Sequence, residues 1–161
     1  MNDITIKTKS EEETLTIGRQ IAEVLTHGTV IALYGDLGAG KTVISRGIAR
    51  GLKITEPVTS PTFTVVQEYP LEQGGFLFHL DMYRINSEDD AYSFGIEDFL
   101  FTDESIALVE WPERIPGLLE ESEYSEKSGT LYSLYLAHAS ESERTITMPE
   151  ALYNKLPMSK G

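Results

Sequence analysis

One stretch of the chain has the composition and spacing of a phosphate-binding loop. Glycine recurs in it, as expected where several backbone N–H groups must point at one phosphate chain with dihedral angles that residues with a Cβ avoid. Lys41 can reach the outer phosphates as a point charge, and the Thr42 hydroxyl can bind Mg²⁺. The loop is therefore predicted to bind a nucleotide through eight residues: Gly35, Asp36, Leu37, Gly38, Ala39, Gly40, Lys41 and Thr42.

The segments on either side of this loop are of the kinds that would position it. Thr29–Tyr34 is a short continuous apolar run, typical of a buried strand, and 41–50 follows the pattern of a helix with Ile44 and Ile48 on its apolar face. The N-terminal end of that helix adds a positive dipole where the anion would lie. A phosphate loop between a strand and a helix predicts an α/β fold of the P-loop NTPase type.

Two acids further along the chain could complete a catalytic site. Asp81 ends the apolar segment Phe76–Asp81, and Glu110 ends Ser105–Glu110. In a parallel sheet, acids at the carboxyl ends of strands reach the ligand crevice beside the phosphate loop. Phosphoryl transfer needs Mg²⁺ and a group that orients the attacking oxygen. Lys41, Asp81 and Glu110 are the predicted catalytic residues, and Thr42 and Glu110 the predicted metal ligands.

Other side chains could contribute to the same chemistry. Thr62 lies in a polar loop where a switch threonine could sense Mg²⁺ and the last phosphate. His79 alternates inward on its strand, which favours a structural role over that of a base. Trp111 follows Glu110, and an aromatic residue at a strand end is more typical of a core than of a partner-facing surface. Three arginines could contact phosphate charge, although a surface ion pair is the commoner role of any one: Arg84, Arg114 and Arg144.

The remaining segments predict a mixed, mostly parallel central sheet flanked by helices. The continuous apolar run Ser105–Glu110 indicates a strand buried on both faces, as in the centre of a parallel sheet. Asp3–Thr8 is predicted as an edge strand, and a capping box of Ser10 and Glu13 predicts a helix that ends at Gly28. Further strands are predicted at 63–69 and 76–81, short helical segments at 87–94, 96–101 and 115–119, a mobile acidic loop at 120–129, a C-terminal antiparallel hairpin from 131–136 and 144–148, and a last helix from 150.

Length and composition bound the class of protein. The 161 residues are expected to form a single domain, 1–161, large enough for a proper core. Hydrophobic residues make up 40% of the chain, and no apolar run is long enough for a transmembrane helix. The first residues lack the basic and apolar regions of a signal peptide, and the absence of cysteine excludes disulfides and thiolate metal sites. These features predict a cytoplasmic protein with no membrane partner.

The charge balance bears on the kind of partner. There are 26 acidic residues against 13 basic ones, and the formal net charge is -13. Such a surface repels nucleic acid unless a local basic patch overrides it, and the sequence has no cluster of lysine and arginine. If the protein serves a pathway that involves RNA, another protein is expected to hold the RNA.

Four motifs, in this order and in a chain of this length, resemble the TsaE family. They are the phosphate loop at 35–42, Ser-Pro-Thr-Phe at 60–63, His-Leu-Asp-Met-Tyr-Arg at 79–84, and Leu-Val-Glu-Trp-Pro at 108–112. The family is the ATPase subunit of bacterial tRNA threonylcarbamoyladenosine (t⁶A) synthesis. The resemblance implies a P-loop ATPase fold without a second domain and with ATP and Mg²⁺ bound through the loop. It also implies that Glu110 lies near the metal and Asp81 near the reacting phosphate.

The same resemblance implies partners. It indicates an ATPase that is slow alone, docks on the TsaD and TsaB proteins and does not itself attach the threonylcarbamoyl group. Its ATP turnover would support repeated cycles of modification at adenosine 37 of tRNAs that read ANN codons. Contact with tRNA would be indirect, through the complex.

Three alternatives fit the loop taken alone. A small-molecule kinase shares the fold but needs a lid with clustered arginines, and the long loop at 120–129 is acidic. A GTPase needs an Asn-Lys-x-Asp motif, and the Asn-Lys-Leu-Pro at 154–157 lacks the aspartate. A module that only senses ATP would keep Lys41 and Thr42 but would not need Asp81 or Glu110.

Overall fold

The structure is a computed structural model, and it describes residues 2–36, 38–58, 64–120 and 129–160. Leu37 of the phosphate loop, Thr62 with the rest of the Ser-Pro-Thr-Phe motif, and most of the acidic loop at 120–129 lie outside the described residues. Within the described ranges, the structure contains no helix that could span a membrane.

Strands and helices alternate along most of the chain. The strands are β1 (Asp3–Thr8), β2 (Thr29–Tyr34), β3 (Val66–Pro70), β4 (Phe76–Asp81), β5 (Ser105–Glu110), β6 (Thr130–His138) and β7 (Arg144–Pro149). The helices are α1 (Glu11–Val24), α2 (Lys41–Gly51), α3 (Glu88–Ser93), α4 (Pro116–Glu120) and α5 (Glu150–Tyr153). Short 3₁₀ turns lie at Ile96–Phe99, Pro112–Arg114 and Pro157–Lys160.

All seven of these strands join one mixed sheet, in the order β1-β7-β6-β2-β5-β4-β3. The four central strands, β6, β2, β5 and β4, run parallel to one another, whereas the outer pairings of β1 with β7, β7 with β6 and β4 with β3 are antiparallel. The predicted fold class is confirmed, and so is the central place of β5. The predicted C-terminal hairpin forms from β6 and β7, and β6 also pairs with β2, so the hairpin is part of the main sheet.

Helices cover both faces of the sheet, because successive residues of the central strands point to opposite sides. On β2, Ile31 and Leu33 pack with α1 and α2 in one cluster. Val30 and Ala32 pack in a second cluster with residues of α3 and α4. The result is a three-layer arrangement in which helices flank a central sheet, as predicted, with the phosphate loop leading from β2 into α2.

Two glycines let α1 and α2 approach closely on the first face. A Cβ on Gly47 would lie 2.3 Å from the Leu15 carbonyl oxygen, and one on Gly18 would lie 2.6 Å from that of Ile44. Both distances are shorter than atoms can tolerate, so these positions have room only for glycine. This contact fixes the direction of α2 and hence the place where its N-terminus points.

Two predicted boundaries were wrong by three residues or more. The strand predicted at 63–69 begins at Val66, because Val65 adopts a left-handed φ of 68°, which breaks extended backbone. Helix α1 ends at Val24, four residues before the predicted stop, and Gly28 with φ 92° instead turns the chain into β2. Ser10 caps α1 as predicted, since its side chain accepts a hydrogen bond from the Glu13 N–H.

Candidate functional site

The described part of the phosphate loop has the backbone that its glycines permit. Gly35, Gly38 and Gly40 have φ values of 146°, 79° and 108°, which residues with a Cβ rarely adopt. Gly35 is also needed for space, because a Cβ there would lie 2.6 Å from the Leu136 carbonyl oxygen of β6. The loop is therefore held against β6 at Gly35, with a backbone that favours glycine at three of its positions.

Two stacked aromatic rings fix the end of β2, the strand that precedes the phosphate loop. Tyr34, the last residue of β2, stacks on Tyr135 of β6 with 4.6 Å between ring centroids. Burial raises the pKa of the Tyr34 phenol above its ordinary value, and the nearby Tyr135 raises this pKa further. The phenol is therefore neutral at physiological pH, and the stack holds β2 and β6 together just before Gly35.

Lys41 is the first residue of α2, and its side chain lies inside the site. Only 6% of the residue is exposed, and its Nζ atom is buried without a hydrogen-bond partner among the described residues. Nζ lies 3.9 Å from the centroid of the Trp111 ring. An ammonium group has three N–H donors, and leaving them unpaired away from water is costly. A buried cation in this position fits an anionic ligand.

The strand register brings the two predicted acids together. Asp81 and Glu110 are direct partners in the parallel pairing of β4 with β5, and Leu33, two residues before Gly35, is the partner of Glu110 on the other side. Both acids are 4% exposed. The carboxyl ends of three neighbouring strands thus place the loop, Glu110 and Asp81 side by side.

Backbone contacts hold Asp81 in place. Its Oδ1 atom accepts a hydrogen bond of 2.9 Å from the Tyr83 N–H, and its own N–H donates to the Val65 carbonyl oxygen, also at 2.9 Å. The strained residue Val65 therefore anchors the end of β4.

Glu110 is held by a side chain instead. Its Oε2 atom lies 2.7 Å from Nε2 of His79, and both residues are buried. The structural role predicted for His79 agrees with this burial, but no local pattern identifies Glu110 as its partner.

Trp111 has two kinds of neighbour. Its backbone is left-handed, with φ 58° and ψ 48°, and its ring lies 5.0 Å from that of Tyr83. The indole is half-buried, packs against the cluster that α3 and α4 cover, and also faces Lys41. The ring therefore has the expected core contacts, and it also contacts Lys41 of the site.

One cavity of about 570 Å³ gathers these groups. The predicted residues that line it are Gly38, Gly40, Lys41, Thr42, Asp81 and Glu110. Lining residues that sequence reasoning did not place there are Glu11, Thr14, Val43, Tyr83, Glu141 and Ser142. Tyr83 belongs to the same motif as Asp81 and could have been found from it. Val43 follows Thr42 in α2, and the others come from α1 and the turn between β6 and β7, where no local signal marks them.

Of the three candidate arginines, Arg144 lines the cavity, whereas Arg84 and Arg114 do not appear among its described lining residues. The guanidinium of Arg144 donates from one nitrogen to the carbonyl oxygens of Ser140, Glu141 and Glu143 at 3.0 to 3.2 Å. These hydrogen bonds stabilise the turn between β6 and β7, which lies beside the phosphate loop.

The donor set decides what kind of metal site is possible. Among the described residues there is no group of three or more histidine, cysteine, aspartate or glutamate side chains that could hold a metal ion. Mg²⁺ is commonly bound by one or two protein oxygens together with substrate phosphates. The Thr42 hydroxyl and the Glu110 carboxylate line one cavity with Lys41, so they fit a metal that arrives with a nucleotide.

The near-match to a guanine-selecting motif lies elsewhere. Lys155 donates to the Tyr132 hydroxyl at 3.1 Å, and none of 154–157 is among the described residues that line the cavity. This segment gives no support to a GTPase.

A family model and several known proteins match a large part of this chain. Residues 8–146 match the family described as "Threonylcarbamoyl adenosine biosynthesis protein TsaE". A Bacillus subtilis protein named tRNA threonylcarbamoyladenosine biosynthesis protein TsaE is 37% identical over 148 residues, 91% of this chain and 85% of the relative. A protein of the same name from Nostoc is 44% identical over 113 residues, 66% of each chain. The match thus spans just under two thirds of the Nostoc relative.

A solved structure is also similar over nearly its whole length. The crystal structure of YdiB from Bacillus subtilis superposes with a TM-score of 0.71 at 31% sequence identity, covering 99% of this chain and 97% of that one. The arrangement of strands and helices described above is therefore found in an experimental structure.

Proposed function

The chain belongs to the TsaE family of threonylcarbamoyladenosine biosynthesis proteins, and from that premise we propose that it binds and hydrolyses ATP in support of tRNA t⁶A formation. The proposal takes the TsaD and TsaB proteins as partners, and tRNA as a substrate that this chain meets only through them. The proposal also places the protein in the cytoplasm.

One observation carries the proposal. The Lys41 ammonium is buried without a hydrogen-bond partner among the described residues, in the cavity that Asp81 and Glu110 also line. A nucleotide-binding module without chemistry would need the lysine and the loop, but not two buried acids at adjacent strand ends. The acids therefore favour hydrolysis over simple sensing of ATP.

The roles follow from charge and place. Lys41 and the N-terminus of α2 would hold the phosphate chain, together with the backbone of 35–42. Thr42 and Glu110 would hold Mg²⁺, which when bound neutralises charge on the phosphate oxygens. Asp81, fixed by its contact with the Tyr83 N–H, would orient the attacking water.

The first test compares ATP turnover in three proteins, each with and without the TsaD–TsaB pair. We expect slow phosphate release by the chain alone and faster release with the pair. Glu110→Ala should leave the binding of ATP alone largely intact, because Lys41 and the loop remain, but should lower turnover by roughly 100-fold, the scale of losing one stabilising group in a transition state. Glu113→Ala removes an exposed acid three residues away and is the matched control, with turnover unchanged.

Two results would contradict the proposal. Normal turnover by Glu110→Ala would show that this carboxylate has no part in hydrolysis. Phosphate transfer to a metabolite, without any effect of the partners, would identify a small-molecule kinase instead. The t⁶A role itself is tested by nucleoside analysis of tRNA from cells depleted of the protein, where t⁶A should fall.

A further inference from the structure

We propose that His79 is a positioning residue, which holds the Glu110 carboxylate in the orientation that Mg²⁺ binding requires. The inference rests on the proposed function. It concerns a side chain that neither lines the cavity nor has a role in the chemistry proposed above.

The geometry of the pair indicates the direction of the hydrogen bond. Nε2 of His79 lies 2.7 Å from Oε2 of Glu110. A carboxylate that holds Mg²⁺ is ionised and only accepts hydrogen bonds, so in that role it accepts from the Nε2–H group of His79. The short distance is typical of a bond that involves a charged acceptor.

The contact with Glu110 is the one hydrogen bond of the His79 ring among the described residues. His79 is 1% exposed, and its other nitrogen, Nδ1, is buried without a hydrogen-bond partner among the described residues. A buried polar atom without a partner costs free energy, because it loses its hydrogen bonds to water and gains none in the protein. An apolar side chain at this position would avoid that cost, so packing alone does not account for a histidine here.

Strand geometry explains why Glu110 needs such a partner. Position 79 on β4 pairs with Leu108 on β5, two residues before Glu110, so His79 and Glu110 are diagonal neighbours on the same face of the sheet. Glutamate has one more rotatable bond than aspartate, and its carboxylate would otherwise sample several positions. With Oε2 bound to His79, the carboxylate presents its other oxygen, Oε1, in a defined place.

Partners behind a ligating carboxylate commonly affect metal affinity by 10–100-fold. Two substitutions separate the hydrogen bond from the packing. Glutamine at position 79 can place its amide N–H₂ near the Nε2 position and donate to Glu110, whereas leucine fills a similar volume without a donor. His79→Gln should therefore behave like the wild type, and His79→Leu should not.

The experiment measures the affinity of a non-hydrolysable ATP analogue by calorimetry, with and without Mg²⁺. In the wild type we expect Mg²⁺ to tighten binding. The variant His79→Leu should bind the analogue alone as tightly as the wild type does. The factor by which Mg²⁺ increases the affinity should be at least about 10-fold smaller in this variant. His79→Gln should retain the tightening within about threefold. Thermal unfolding of each variant checks that the fold is intact.

A third variant covers the possibility that leucine prevents folding. His79→Asn keeps an amide but is too short to reach Glu110, so it should show the same loss as leucine. In a Glu110→Ala background, changing His79 to leucine should cause no further loss of tightening, because the partner is gone.

The outcomes separate this inference from the proposed function. If His79→Leu retains the wild-type tightening by Mg²⁺, or if His79→Gln loses as much as His79→Leu, the inference is overturned while the ATP site stands. If the wild type itself binds no nucleotide, the proposed function fails and the inference fails with it.

Discussion

At the scale of single residues, the contact between Lys41 and Trp111 links the phosphate loop to the motif around Glu110. The ammonium lies 3.9 Å from the ring centroid, close enough for a cation–π attraction of about 0.5–2 kcal/mol. Trp111 is held in a left-handed conformation that costs energy for a non-glycine residue. Strain of this kind persists where the surrounding structure imposes it, and here it places the indole beside the site.

This contact predicts an optical signal. Trp111 is the single tryptophan of the chain, so its fluorescence reports on the site alone. Binding of ATP with Mg²⁺ should change the intensity or the maximum of its emission, because phosphates beside Lys41 alter the field at the ring. A titration gives the binding curve, and Lys41→Ala, which should not bind, is the control. Nucleotide binding detected by calorimetry with no change in emission would contradict the prediction.

At the scale of elements, the site depends on how α2 packs against α1. The loop ends where α2 begins, and the direction of α2 is set by the close approach at Gly18 and Gly47. A change in the packing of α2 against α1 would shift Lys41 and Thr42 together, since both lie in the first turn of α2.

Gly47→Ala tests this contact. The added methyl would lie 2.3 Å from the Leu15 carbonyl oxygen, an atom of the backbone that cannot rotate away. We expect the free energy of unfolding in urea to fall by about 1–3 kcal/mol, although alanine favours a helix over glycine. The neighbouring Arg46→Ala, on the exposed face, should change it by no more than about 0.5 kcal/mol. Equal stability of Gly47→Ala and the wild type would show that the helices are farther apart.

At the scale of the whole molecule, the formal net charge of -13 is the dominant feature. It agrees with the proposal that this chain meets tRNA only through partner proteins. The single-domain organisation of 1–161 stays a prediction, which one cooperative unfolding transition would support.

The charge predicts that the isolated chain binds tRNA more weakly than a typical non-specific binder, with a dissociation constant above about 10⁻⁴ M at physiological salt. Electrophoretic mobility shift with the chain alone should show free tRNA, and addition of the TsaD–TsaB pair should bring the chain into a complex with tRNA. Tight binding by the chain alone that weakens steeply with salt would point to a basic surface in this protein.

The sequence by itself determined the parts of the site that depend on neighbours along the chain. A phosphate loop needs glycines at positive φ between a strand and a helix, so the pattern at 35–42 was readable without tertiary structure. A continuous apolar run that ends in an acid was likewise enough to place Glu110 at the end of a central strand. The family resemblance from four motifs was confirmed by the match over 8–146.

Only the tertiary structure decided which of these parts meet. The pairing of Asp81 with Glu110 follows from β4 lying next to β5, and strand order is not written in any local pattern. The contact between His79 and Glu110 joins residues 31 positions apart, and the turn of Glu141 and Ser142 enters the cavity because β6 pairs with β2. Local patterns follow from backbone preferences over a few residues, whereas these contacts depend on the packing of the whole sheet and its helices.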